Sequence, residues 1–175
     1  MVENACCFFG HRKVDETEHL IAKLTVTIET LIVNEKVDTF IFGSKSRFNS
    51  LCWEVTTQIK EKYPHIKRVY VRAEYPYISE HYKNYLLEKY EDTYYPARIM
   101  NAGKASYVER NYEMIDKSTY CVFYYNENYV PELRRQPRHN MLPPSRRTSG
   151  TKIAYEYALK KKKEIINIYK KKRLR

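Results

Sequence analysis

No apolar run in this 175-residue chain exceeds about six residues, the longest being Tyr120 to Tyr125, so a membrane-spanning helix is excluded. The first residues hold no basic stretch followed by a long apolar one, and a secretory signal is not expected. Cysteine is scarce: none of Cys6, Cys7, Cys52 and Cys121 has the Cys-x-x-Cys spacing of a zinc site. Zinc is therefore not expected, and no other metal or cofactor is expected either. The plain reading is four buried small hydrophobes in a reducing cytoplasm, with adjacent Cys6 and Cys7 on opposite faces of a strand. Internal repeats are missing too. Acidic residues are nearly absent from the last quarter, where residues 131–175 carry 15 basic and 3 acidic side chains against 17 and 18 in residues 1–130.

The formal net charge of +11 is thus a local basic feature on a near-neutral domain. The hydrophobic fraction of 43% includes 18 tyrosines and stays within the globular range without them. A chain of this length fits one domain with a real core, spanning 1–169, followed by a basic tail at 170–175.

Strand and helix signals alternate along it. An apolar strand over about 4–9 stops at Gly10, and Asp15-Glu-Thr-Glu18 reads as an N-cap with a carboxylate three residues on. Leu20, Leu24, Ile28 and Leu31 then line one helical face. A second strand, 38–42, ends at Gly43, and Leu51, Val55 and Ile59 mark the next helix. A strand over 67–72, a helix over 79–90 and a short extended piece at 93–95 follow. Ser106-x-x-Glu109 repeats the capping pattern before a helix to about Asp116, with Glu109, Glu113 and Asp116 as partners for Arg110. The 120–125 run is a strand flanked on both sides in a parallel sheet. Ser149 opens a helix in which Glu156 can pair with Lys160, and 164–169 is the last strand. The fold class expected is α/β, a Rossmann-like parallel sheet with helices on both faces. Between the last two helical signals, 126–148 is a long loop with four prolines and five arginines.

In such sheets ligands sit at the carboxyl ends of the strands. The first strand end presents Gly10, His11 and Arg12; the second presents Gly43 and Ser44. After the long loop, Ser149-Gly150-Thr151 opens a helix, whose free N–H groups favour phosphate or carboxylate. Arg110 and Asn111 lie in the first turns of the helix before the fifth strand, where a guanidinium can take a phosphate by two bonds. His11 has no carboxylate partner in sequence; it shapes a loop or acts as acid and base. Tyr124 and Tyr125 alternate faces, one for the core and one for stacking on a base.

Together "FFGHR", "FIFGS", "ERNYEMIDKSTYCVFYY" and "SGTKIAYEYA" resemble the SLOG superfamily, Rossmann-like domains related to LOG proteins and DNA-processing protein A. The nearest pattern is a small bacterial and phage branch of unassigned function. The resemblance implies a nucleotide or nucleotide-derived small molecule in the strand-end cleft, held at Gly10, Arg12, Gly43, Arg110, Ser149, Gly150 and Thr151, and often a homodimer. The sequence departs from that pattern at Ala154, which stands where LOG-type enzymes carry a glutamate for N-glycosidic cleavage. Ser44 and Phe48 stand where the family has small residues. Three alternatives stay open: a nucleotide-cleaving hydrolase, a non-specific nucleic-acid binder acting through the basic C-terminal region, and an interaction protein that keeps the fold without a ligand.

Overall fold

The computed structural model describes residues 4–131 and 148–170. Most of the long basic loop and of the tail therefore lies outside the described residues. Six strands, β1 (Ala5–Gly10), β2 (Thr39–Phe42), β3 (Lys67–Val71), β4 (Asp92–Tyr94), β5 (Tyr120–Tyr124) and β6 (Glu164–Asn167), form one parallel sheet ordered β4-β3-β2-β1-β5-β6. Helices α1 (Glu18–Val33), α2 (Arg47–Lys62), α3 (Glu80–Leu87), α4 (Ser106–Asp116) and α5 (Gly150–Lys160) make the crossovers, with two 3-10 turns at Ala97–Ile99 and Gly103–Ala105. The doubly wound α/β architecture is the one the alternating signals predict.

Strand alternation builds two cores. Cys6, Phe8, Phe40, Phe42, Tyr70 and Val122 face α1, α2 and Leu86 of α3. Ala5, Cys7, Phe9, Ile41, Val71, Cys121 and Phe123 face Met114 and Ile115 of α4 and Ala154 and Ala158 of α5. Cys6 and Cys7 do fall on opposite faces, and all four cysteines are buried and free. Cys7 and Cys121 are register partners on β1 and β5, with their sulfurs 3.5 Å apart. No described helix is long and apolar enough to cross a membrane.

Several element boundaries differ from those the local signals predict. Thr17, not Asp15, caps α1, accepting from the Leu20 amide at 3.1 Å. Ser106 is already inside α4; its hydroxyl donates to the Gly103 carbonyl at 2.6 Å, because the 3-10 turn supplies the entry that a cap would otherwise provide. Helix α3 ends at Leu87, three residues short of the expected end, and Tyr90 folds back onto Tyr70 with rings 5.1 Å apart. Glu156 faces Lys152 at 3.8 Å rather than Lys160.

The sheet reverses its winding between β1 and β5: β2, β3 and β4 lie to one side of β1, β5 and β6 to the other. That switch point is where a doubly wound sheet opens a crevice at its strand ends.

Candidate ligand-binding site

His11 leaves β1 at the switch point and is only 3% exposed. Its Nε2 accepts the backbone amide of Asn126 at 2.9 Å, which ties the loop after β5 to the loop after β1. Asn126 then turns the chain: its side-chain oxygen accepts the Asn128 amide at 3.0 Å and its carbonyl accepts the Tyr129 amide at 3.0 Å. The turn lays the Tyr129 ring flat on the imidazole, with centroids 3.8 Å apart and planes 17° apart. Burial pushes the His11 proton affinity down to about 4, so the ring is neutral at physiological pH. With Nε2 accepting, the proton resides on Nδ1, which has no partner among the described residues. The tethered, neutral ring forms one side of the crevice.

Beside this stack lies a cavity of about 610 Å³, bounded by the loop after β1, the start of α2 and the aromatic rings of Tyr124, Tyr129 and Tyr169. Three cations reach it. Arg47 is neutralised by Glu16, which takes two of its nitrogens, and by Glu54 at 2.7 Å. Lys13 and Arg12 line the same wall, and Arg12 is exposed, with no hydrogen bond or ion pair to a described residue.

His11 and Arg12 line this cavity, and Gly10 before them has a packing reason. A Cβ on Gly10 would overlap the Phe48 ring, which α2 drives against the end of β1 and which also stacks on Tyr124 at 5.6 Å. The glycine admits Phe48, not a ligand. Asn49 reinforces the contact by donating to the Phe8 carbonyl at 3.2 Å.

Gly43 and Arg110 form a second group, turned toward α4. The Arg110 guanidinium is 4% exposed and donates through Nη1 to the Gly43 carbonyl, and through Nε to Asn111 Oδ1 at 3.2 Å. A Cβ on Gly43 would meet Arg110 Cδ and Met114 Sδ at 2.8 Å, so the glycine makes room for this arginine. Burial lowers the Arg110 proton affinity, opposed by Tyr70 and Glu74. The carboxylates expected to pair with Arg110 serve Arg98 instead: Asp116 at 2.8 Å, Glu109 at 3.2 Å and Glu113 at 3.8 Å. Ser44 accepts the Ser46 amide at 3.1 Å, preparing the cap of α2. Neither Arg110 nor Ser44 lines the cavity at the switch point.

The third group begins α5. Ser149 Oγ caps the helix by accepting the Lys152 amide at 3.0 Å, Gly150 has open space around it, and Thr151 is buried. These three also lie outside the cavity lining. Ala154 is fully buried against the sheet, a position with no room for a glutamate. Tyr124 is the core tyrosine, and Tyr125 stacks on Tyr155 at 4.6 Å, so its base-stacking position is already taken within the chain. Of the ten candidate residues, the structure gathers His11 and Arg12 at the cavity. Tyr129 and Tyr169 were missed because tyrosine is so common here that no single one stands out. Among the described residues no cluster of His, Cys, Asp or Glu could hold a metal ion.

No model of a known protein family and no curated protein matches the chain.

Proposed function

We propose that the chain is a SLOG-type domain that binds a nucleotide or nucleotide-derived small molecule in the cavity between the β1 and β5 loops. The observation that carries this reading is the pairing of the unengaged Arg12 cation with aromatic walls at the switch point of a doubly wound sheet. A flat base takes an aromatic face, and a phosphate takes the guanidinium. The order of motifs along the chain supports the same reading. Arg110 has a different part: it clamps the β2 end to α4 and carries no share of ligand binding. Cleavage of a glycosidic bond is the weaker reading, because buried Ala154 leaves that position without a carboxylate.

Titration of the whole protein with nucleoside monophosphates, cyclic nucleotides and NAD-derived compounds, followed by nuclear magnetic resonance, tests the assignment. Perturbations are expected at His11, Arg12 and Tyr129. Arg12→Ala weakens binding by roughly tenfold or more while leaving the spectrum of the sheet unchanged. Equal affinity in Arg12→Ala and wild type removes the site. Product analysis on the same samples separates a binder from a hydrolase.

A further inference from the structure

At the far end of the same strand edge, over β3 and β4, a second cavity of about 400 Å³ opens beneath the start of α3. Its floor is set by register. Val71 pairs with Tyr94 and Tyr70 with Thr93, so Arg72 and Thr93 point to the α3 face together. Arg72 spends Nη1 on the carbonyls of Tyr75 at 3.1 Å and Pro76 at 3.4 Å and lies over the Tyr95 ring at 5.9 Å. Among the described residues it makes no ion pair, and its buried Nε has no hydrogen-bond partner. The Thr93 hydroxyl is likewise buried with no partner among the described residues. Two shielded polar groups in one cavity are costly, and folded proteins ordinarily satisfy such groups.

We infer that this cavity is a binding site for a small aromatic monocarboxylate. With Nη1 occupied, the free edge of the Arg72 guanidinium is the one formed by Nε and Nη2, a fork that matches the two oxygens of a carboxylate. Thr93 supplies a third donor to the same anion. Lys83 adds a cation at the rim and Glu80 an anion, which leaves the cavity one net positive charge and favours a monoanion over a phosphate dianion. Tyr95, Met100 and Tyr77, the last 84% exposed, supply apolar and aromatic surface for a flat body. Nε and the Thr93 hydroxyl are closed to water in this conformation, so the carboxylate seats as the guanidinium shifts.

This site stands apart from the switch-point cavity, and its test is independent of that reading. Benzoate and 4-hydroxyphenylacetate, with benzamide, phenyl phosphate and inorganic phosphate as comparisons, are titrated into the full chain and followed at the Arg72 Nε–H and Thr93 amide signals. The carboxylates are expected to shift both signals at millimolar concentration, phenyl phosphate more weakly, and benzamide and inorganic phosphate not at all. Arg72→Lys keeps the charge but loses the fork, and weakens carboxylate binding by roughly tenfold. Thr93→Val also weakens it, yet raises the melting temperature of the unliganded protein, since it deletes a hydroxyl that has no partner. Arg12→Ala leaves this binding unchanged. Carboxylates that leave both signals unmoved, benzamide binding as well as benzoate, or a Thr93→Val variant less stable than wild type overturn the proposal. The last result would mean that the hydroxyl already has a partner within the folded protein.

Discussion

His11 holds the most consequential bond of the switch point, and that bond needs an unprotonated Nε2. A histidine titrates near 6.5 in an unfolded chain; here burial brings it to about 4. Between those values the unfolded chain takes up a proton that the native state does not. The contribution of His11 to stability is therefore complete above about pH 6.5, shrinks as pH falls through this window, and is gone below about pH 4. A titration of the His11 ring by nuclear magnetic resonance should give a midpoint below 5, and a midpoint near 6.5 would show that the tether is not closed. Gly10 offers a second test. Gly10→Ala forces its new methyl into the Phe48 ring and should cost about 1–3 kcal/mol in urea unfolding. An unchanged unfolding midpoint would mean that α2 does not press on β1 as described.

Among elements, the join between the first 3-10 turn and α4 depends on one arginine. Arg98 gathers Glu109, Glu113 and Asp116, and Tyr157 of α5 donates to Asp116 at 3.0 Å. Burial acts to raise the Asp116 pKa, but the hydrogen bonds from Arg98 Nη1 and Tyr157 hold it below its ordinary value. A third of the Arg98 side chain is exposed, so its loss is discounted for solvent screening. Arg98→Ala should destabilise the protein by about 1 kcal/mol, with the loss diminishing as pH falls from the unfolded Asp value of about 3.9 through the lowered value of folded Asp116. Denaturant curves at pH 7 and pH 3 check both parts. The apolar runs stopping at Gly10 and Gly43 and the stripes of Leu20, Leu24 and Leu51, Val55 were legible because burial imposes their spacing. Arg98 and Arg110 were not, since their partners are chosen by packing: Arg110 binds a carbonyl 67 residues away. The caps at Asp15 and Ser106 were misplaced because several polar residues stood close together and only the path of the entering chain selects one.

Across the whole molecule, residues 1–130 are close to neutral and the excess of basic charge lies in residues 131–175. Binding of oligonucleotides through the basic region would fall steeply with added salt and vanish on removal of residues 170–175, whereas ligand held by one arginine and aromatic rings would change little. The α/β class and the parallel direction of the strands were legible from the alternation of elements, but the strand order that places the switch point between β1 and β5 was not. The composition of the cavity was not, because Tyr129 reaches His11 only through the turn that Asn126 makes. The most direct test is the melting temperature of the purified protein against nucleotides, cyclic nucleotides, NAD-derived compounds and short oligonucleotides at two salt concentrations. A ligand that binds the native state raises that temperature as its concentration exceeds the dissociation constant. A rise with one small nucleotide-derived compound, kept at high salt and lost in Arg12→Ala, is the predicted result. A rise with oligonucleotides alone, abolished by salt and indifferent to Arg12, would contradict it.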